Sequence, residues 1–290
     1  MNLFLNFFSK NSSLNPKFGN LLENLLNLDV SEYIKVCLSR EEYSFTWDEL
    51  RGAIDKPASA IKKEVTYLTS KKELIALRQN FYLIIPPRYA TQGKLPIELY
   101  IHKLFKYLDR EYYLGGFSAA KFHGASHQQI QKEYVFTTKP ALLSISKEGM
   151  DIRFFTLSNW PESNIVHKKS DAGYFNISDP ILTIVDLIHH QTKFGGLNRM
   201  LANVEELLEE VKLPHLLELL TWYSNKSVLQ RLGFLIEYLQ PESELLNPIM
   251  AHLERNRFYP VLLNTFDKSK PGAVDNGWKV AINLELESDL

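Results

Sequence analysis

Residues 46–85 read TWDELRGAIDKPASAIKKEVTYLTSKKELIALRQNFYLII, and this stretch decides the fold of the N-terminal part of the chain. Its pattern predicts a short helix, a turn over residues 52–55, a second helix over residues 57–70 and a hairpin with strands 74–77 and 81–85. Thr46 and Glu49 have the spacing of a capping box, in which each side chain binds a backbone N–H at the helix start. Helix, turn, helix and two-stranded wing is the order of a winged helix-turn-helix.

The second helix has two chemically different sides. Its apolar residues form one stripe, Ala58, Ile61, Val65 and Leu68. Its polar residues form the opposite stripe, Ser59, Lys62, Lys63 and Thr66. Such a polar side suits the major groove of DNA, where lysine binds phosphate or guanine and hydroxyl groups bind either kind of partner.

The charge around this helix is positive, although the whole chain of 290 residues has a net charge of −1. Between Lys56 and Arg88 there are seven basic and two acidic residues. A local surplus of this kind binds phosphates in a salt-dependent way. The predicted DNA contacts therefore also include Lys56, Lys71, Arg78 and Asn80, the last two at the wing tip. Lysines on an exposed helix are often only solvated and bind nothing. A winged helix that binds protein rather than DNA is a further alternative.

Composition narrows the class of protein further. A hydrophobic fraction of 45% and a charged fraction of 23% are ordinary for a globular protein. The single cysteine, Cys37, allows neither an internal disulfide nor a cysteine-rich metal site, which indicates a cytoplasmic protein. We expect no metal, no cofactor and no membrane span.

The chain divides into four predicted segments. Residues 1–20 are an N-terminal arm, and residues 21–88 form the winged domain, which ends at Pro86-Pro87. Residues 94–178 read as a small α+β core that begins with a helix over residues 96–108. Residues 179–290 read as a helical bundle, which begins at Asp179-Pro180 and closes with a strand over residues 278–286. The predicted fold class is α+β.

Four passages resemble the signature of the AbiEi-type antitoxins. They are residues 112–138, which contain YYLGGFSAAKFHG and QKEYVFT, residues 179–186 with GGL at 195–197, NKSVLQRLG at 225–233, and residues 278–283. They occur in the family's order, and the resemblance runs from about residue 46 to residue 283. The wing tip departs from the family pattern, because Gln79-Asn80 stands where relatives often have a glycine. Asparagine tolerates the left-handed conformation that this turn needs.

The resemblance implies a protein with two functions. A winged domain of this family binds inverted repeats in its own promoter and represses a toxin–antitoxin operon. The remainder counteracts a cognate AbiEii-type nucleotidyltransferase toxin, in a type IV system that needs no stable toxin complex and confers abortive phage resistance. We assign the antitoxin role to the basic residues of the bundle, Arg199, Lys226 and Arg231.

Other classes of function stay open but are weaker. A winged-helix regulator with a C-terminal domain that senses a small molecule is the main alternative. For an enzyme, His123 and His127 have metal-pair spacing but Gly124 interrupts them, and adjacent His189 and His190 are expected to point apart. A metal nuclease would use carboxylates near strand ends, for which the candidates are Glu133 and Asp151, each near a basic residue, Lys132 and Arg153.

Overall fold

Residues 1–107 and 108–290 form separate units in the computed structural model, which describes residues 29–125, 131–267, 274 and 276–287. Each unit combines helices with a β-sheet, so the chain has the predicted α+β class. The predicted N-terminal arm and residues 21–28 of the predicted winged domain lie outside the described residues.

The first unit has a small antiparallel sheet and several short helices. Its described helices are α1 (Val30–Ser39), α2 (Trp47–Ala53), α3 (Ala58–Ser70), α4 (Pro87–Ala90), a 3-10 turn (Ile97–Leu99) and α5 (Ile101–Leu108). Its described strands are β1 (Ser44–Thr46), β2 (Leu74–Arg78) and β3 (Phe81–Ile84), in the spatial order β1-β3-β2.

Local sequence explains the start of α2 and the orientation of α3. The Thr46 hydroxyl accepts from Glu49 N at 3.2 Å, and the Glu49 carboxylate accepts from Thr46 N at 2.7 Å, so the predicted capping box is present. In α3 the predicted apolar stripe is buried through Ile61, Val65 and Leu68. Helical periodicity therefore turns the remaining residues of α3 toward solvent.

The hairpin differs from its prediction, because β3 is a central strand. Its other neighbour is β1, which pairs with it in register from Ser44 opposite Leu83 to Thr46 opposite Phe81. The alternation of residues 81–85 places Phe81, Leu83 and Ile85 on one face and Tyr82 and Ile84 on the other, and Ile84 is buried together with the first face. A strand of three residues such as β1 is too short to show a periodicity in the sequence.

The second unit contains one large mixed sheet and a group of helices. Its main described strands are β4 (Tyr112–Leu114), β5 (Glu133–Thr137), β6 (Ile145–Lys147), β7 (Met150–Thr156), β8 (Ile165–Ser170) and β9 (Gly173–Ser178), in the spatial order β6-β7-β5-β4-β9-β8. Its described helices are α6 (Gly116–Phe122), α7 (Pro180–His189), α8 (Gln191–Phe194), α9 (Leu197–Glu210), α10 (Leu213–Trp222), α11 (Lys226–Leu239) and α12 (Leu246–Glu254). No helix in the described ranges is long and apolar enough to cross a bilayer.

Helix α7 is the centre of the second unit. It is buried from Pro180 to Ile188, and it contacts α6, α9, α10 and α11. Asp179 caps it as predicted, since its carboxylate accepts from Leu182 N at 2.9 Å. Phe136 of the sheet and Leu232 of the helices belong to the same hydrophobic core. The sheet and the helices are therefore one folding unit.

The domain borders consequently differ from those predicted. The sequence separates residues 94–178 from residues 179–290, whereas the structure divides the chain between Tyr107 and Leu108. A helix with no polar side must be covered on all sides, and this requirement joins the predicted core and the predicted bundle. The predicted helix over residues 96–108 is shorter, begins as a 3-10 turn and belongs to the first unit.

The closing strand is also shorter than predicted. Strands β10 (Val261–Leu262) and β11 (Val280–Ala281) pair in parallel over two residues. After β11 the side chain of Asn283, rather than its backbone, binds the neighbouring segment. Its Oδ1 accepts from Asn264 N at 2.8 Å, and its Nδ2 donates to Asn264 O at 3.0 Å. The predicted strand over residues 278–286 is thus partly replaced by side-chain hydrogen bonds.

Trp278 covers a glycine of helix α11. A Cβ atom added to Gly233 would lie 2.1 Å from Trp278 Cζ3, and the indole Nε1 donates to Glu237 Oε2 at 2.9 Å. The ring is buried and held at its nitrogen, so it has little room to move aside. Gly233 is therefore required for the close packing of Trp278 on α11.

We predict that Gly233→Ala lowers the free energy of unfolding by about 1–3 kcal/mol, because the new methyl group overpacks this contact. The matched control is Gly52→Ala in α2, where an added Cβ meets nothing within 4 Å. That change should stabilise the chain by about 0.5–1 kcal/mol. Denaturant titration followed by circular dichroism measures both, and a Gly233→Ala protein as stable as wild type would contradict the packing argument.

Candidate nucleic-acid interface

The four predicted recognition residues of α3 all face solvent. Ser59, Lys62, Lys63 and Thr66 are exposed, and the opposite side of the helix is buried. Within the described part of the chain, neither Lys62 nor Lys63 forms an ion pair. Two ammonium groups on this side are thus available to an anionic partner.

The hydroxyl groups of α3 are less available than the sequence predicts. Thr66 Oγ1 donates to Lys62 O at 2.8 Å, and Thr69 Oγ1 donates to Val65 O at 2.8 Å. Both bonds return to the carbonyl group one turn earlier in the same helix. The hydroxyl proton of Thr66 is therefore engaged inside the helix rather than directed at a partner.

Lys56, a predicted DNA contact, has a structural role in the first unit. Its Nζ lies 2.8 Å from Glu64 Oε1, and it is only partly exposed. The other oxygen of Glu64 accepts from Val30 N at 3.1 Å. Glu64 thereby ties the start of α1 and the turn before α3 to α3 itself. A DNA contact by Lys56 would have to compete with this ion pair.

The tip of the hairpin is fixed to its neighbours through its backbone. Asn80 adopts a φ of 58°, the left-handed conformation expected from the sequence. Asn80 O accepts from Trp47 N at 2.9 Å, and Gln79 O accepts from the Tyr107 hydroxyl at 3.2 Å. Arg78 is half-buried at the end of β2, opposite Phe81. The tip therefore offers a short, rigid projection rather than a long wing.

Arg231, one of the three predicted antitoxin residues, is part of the core of the second unit. It is 8% exposed, and burial lowers the pKa of its guanidinium group. Its Nε donates to Leu262 O at 2.8 Å, and its Nη1 donates to Ser227 O at 3.2 Å. The assignment of a partner contact to Arg231 is corrected here, since its donors bind the backbone of β10 and of its own helix.

The other two predicted antitoxin residues lie at the beginnings of different helices. Arg199 is exposed near the start of α9, with its guanidinium carbon 5.6 Å from the centre of the Phe117 ring. Lys226 is the first residue of α11, and its Nζ donates to Arg257 O at 3.2 Å. Neither side chain is buried, so both remain candidates for contact with a partner.

A buried titratable cluster in the second unit has no counterpart among the predicted site residues. The Tyr113 hydroxyl donates to Asp186 Oδ1 at 3.3 Å, whereas Asp186 Oδ2 has no hydrogen-bond partner among the described residues. Burial, partly offset by that hydrogen bond, raises the pKa of Asp186 well above 3.8. Burial therefore favours the protonated form of Asp186 over the ionised form. The signal in the sequence is a lone carboxylate inside the apolar run ILTIVDLI.

The two neighbouring histidines contradict their predicted arrangement. The rings of His189 and His190 stack with centroids 4.5 Å apart, whereas adjacent residues were expected to point apart. The reason is that α7 ends at His189, so His190 leaves the helical conformation and its ring can turn toward its neighbour. Burial, His189 and Lys193 together lower the pKa of His190 to about 3. Burial thus favours the uncharged form of both His190 and Asp186.

The residues considered for enzyme chemistry form contacts with neighbouring protein groups. Asp151 binds Arg153 at 2.8 Å, and Glu133 accepts from Ser118 and pairs with Lys121 at 3.8 Å. His123 Nε2 lies 2.8 Å from Ser178 O, and His127 lies outside the described residues. Among the residues that the structure describes, no group of three or more His, Cys, Asp or Glu side chains is placed to hold a metal ion.

Comparison with known protein families and with curated proteins finds no significant match. Among solved structures, the chain is similar to the RV2827C protein from Mycobacterium tuberculosis, at 14% sequence identity and a TM-score of 0.62. The similarity covers 88% of this chain and 91% of that one. At this level of identity the likeness shows a shared fold alone.

We predict that Asp186→Asn changes how stability depends on pH. The folded pKa of Asp186 is raised above 3.8, so its contribution is complete below pH 3.8 and is lost as the pH rises through the folded pKa. Asparagine does not ionise and still accepts from Tyr113. The free energy of unfolding of the variant should therefore gain on wild type by about 1.4 kcal/mol per pH unit between the ordinary carboxyl pKa and the raised pKa of the folded chain, and the difference should be constant above it.

Denaturant titrations of both proteins across the acidic and neutral range measure this difference. His189 and His190 are present in both proteins, so their titration cancels in the comparison. Parallel stability curves for wild type and Asp186→Asn would show that Asp186 is not held neutral in the folded chain.

Proposed function

We propose that the chain is a DNA-binding antitoxin of the AbiEi type, which represses its own toxin–antitoxin operon and catalyses no reaction itself. In this proposal the first unit is a winged helix-turn-helix, and the second unit counteracts a nucleotidyltransferase toxin. The observation that carries the proposal is the outward side of α3, where Lys62 and Lys63 are exposed and free of ion pairs among the described residues.

The arrangement around α3 supports the role of a recognition helix. Helix α2 precedes it across a short turn, and the β2–β3 hairpin follows it, which is the order of a winged helix-turn-helix. The buried stripe of α3 packs into the unit, so the polar side points away from the body. A helix presented in this way can enter a major groove without any rearrangement of the core.

The distribution of charge supports DNA rather than a neutral protein surface as the partner. Seven basic and two acidic residues lie between Lys56 and Arg88, although the chain as a whole has a net charge of −1. The positive surplus is thus local to α3 and the hairpin. Affinity that rests on such lysines falls steeply with salt, because each phosphate contact releases condensed counterions.

Support for the antitoxin part comes from the resemblance, and most of the residues that carry it lie in the core of the second unit. The passage over residues 112–138 includes β4, α6 and β5, and residues 180–186 belong to α7. Gly233 and Trp278 come from two other passages and pack on each other. These motifs therefore maintain the fold, and contact with a partner falls to residues outside the core, such as the exposed Arg199 and the partly exposed Lys226.

We predict that Lys62→Glu combined with Lys63→Glu abolishes specific binding to the chain's own promoter and leaves its stability unchanged. Charge reversal removes two phosphate contacts, so the slope of log affinity against log salt should also flatten by about two. Fluorescence anisotropy with a labelled promoter duplex measures both quantities. The matched control is Lys35→Glu with Lys106→Glu, which makes the same charge change at two exposed positions on α1 and α5.

If the double variant at Lys62 and Lys63 keeps the promoter affinity of wild type, α3 is not the recognition helix. If both double variants lose affinity equally, binding depends on net charge alone and the assignment of a specific surface fails.

We also predict that a fragment beginning at Leu108 rescues cells from the cognate toxin without repressing the promoter. The two roles belong to separate units, and the division falls between Tyr107 and Leu108. Growth during toxin expression and a promoter reporter measure the two roles in the same strain. If the fragment is folded by circular dichroism but only the full chain rescues, the functions are not separable and the second unit is not the antitoxin.

A further inference from the structure

The exposed side of α3 is built from three rows of residues, one helical turn apart. The rows are Lys62 with Lys63, Thr66 with Tyr67, and Ser70 with Lys71, and all six side chains are exposed. Residues four apart on a helix are neighbours on its surface, about 5–6 Å between Cβ atoms. The row of Thr66 and Tyr67 therefore lies between two rows that each carry positive charge.

Tyr67 is exposed without a structural reason in the described residues. Its side chain is 59% exposed, and it makes no contact with another described aromatic ring. Lys71 holds its ammonium group 5.7 Å from the centre of the ring. Tyrosine is only a moderate helix former, so neither the core nor the helix requires it at this position. An aromatic ring in the middle of a basic surface points to contact with a partner.

Thr66 adds a second apolar group to this row. Its hydroxyl donates to Lys62 O at 2.8 Å, which leaves the methyl group as the part of the side chain not engaged with the helix. The next hydroxyl along the face, Ser70 Oγ, likewise donates to Tyr67 O at 2.7 Å. Apart from the phenolic hydroxyl of Tyr67, the middle of the face thus presents an aromatic ring and a methyl group.

We infer that Thr66 and Tyr67 bind the 5-methyl groups of thymine in the major groove, with the lysines on either side binding phosphates or guanine. The inference rests on the proposed function and names the base that α3 recognises. The thymine methyl is the apolar group that a base pair presents in the major groove, and it is read by apolar side chains. In this arrangement, lysines that bind phosphates on either side would hold the row at the level of the bases.

The same chemistry selects DNA over RNA. Uracil has no 5-methyl group, and the major groove of an RNA duplex is too deep and narrow for a helix. The competing explanation of the exposed ring is a protein partner that buries Tyr67. If that explanation holds, replacing Thr66 or Tyr67 should leave DNA binding unchanged.

The test compares two versions of one duplex, the intergenic region that ends at the start codon of the chain's own gene. One version contains thymine, and the other contains uracil at every thymine position. Full-length wild type should bind the uracil duplex about fourfold more weakly for each methyl group contacted, the equivalent of one buried methyl. Tyr67→Ala should weaken binding to the thymine duplex and discriminate less between the two versions.

Three further variants isolate the cause. Tyr67→Phe keeps the ring and should discriminate as wild type does. Thr66→Ser keeps the hydroxyl, loses the methyl group and should discriminate less. Tyr174→Ala is the matched control, since Tyr174 is another exposed tyrosine, 62% exposed on β9, and its replacement should change nothing.

Two results would overturn the inference while the proposed function stands. One is that wild type binds the thymine and uracil duplexes equally well, while replacement of Lys62 and Lys63 abolishes binding to both. The other is a Tyr67→Ala protein that discriminates as well as wild type. If wild type binds neither duplex, or if replacing Lys62 and Lys63 does not weaken its binding, the proposed function and this inference are both overturned.

Discussion

The burial of one side of α3 is the constraint that decides which of its residues face solvent. Burying an aliphatic side chain contributes about 1.5–3 kcal/mol, and Ile61, Val65 and Leu68 are all buried here. Rotating the helix to bury Tyr67 would expose at least one of these residues. The core thus sets the angle at which the lysines face solvent, and the proposed recognition surface needs no contacts of its own to hold it in place.

In the second unit, burial likewise sets the position of the central helix. Because α7 has no polar side, the surrounding sheet and helices cover it on all sides. Its buried polar groups are satisfied at its beginning, where Asn164 Nδ2 donates to Asp179 Oδ2 at 2.8 Å and Trp222 Nε1 donates to Asn164 Oδ1 at 3.1 Å. Asp186 is the exception, with one unpartnered oxygen among the described residues. A neutral carboxyl group there costs less than an ionised one, which explains the direction of its pKa.

Some basic residues in this chain are held in internal contacts and others are exposed, and their charge does not distinguish the two groups. Lys56 binds Glu64, and Arg231 binds two backbone carbonyl groups, so both have structural roles. Lys62 and Lys63 form no ion pair with a described residue. The difference lies in what surrounds each side chain, which depends on residues distant in sequence. Candidate sites chosen by charge therefore include structural cations unless burial is known.

The sequence by itself determined the features that rest on neighbours three or four residues apart. These are the capping box of Thr46 and Glu49, the two sides of α3, the cap at Asp179 and the left-handed turn at Asn80. The tertiary structure alone decided that β3 is a central strand, that the sheet and helices share one core, that Arg231 is buried and that the pKa of Asp186 is raised. The physical reason is range: helical periodicity and capping are local, whereas strand order, burial and the surroundings of a charge depend on residues far apart in the chain.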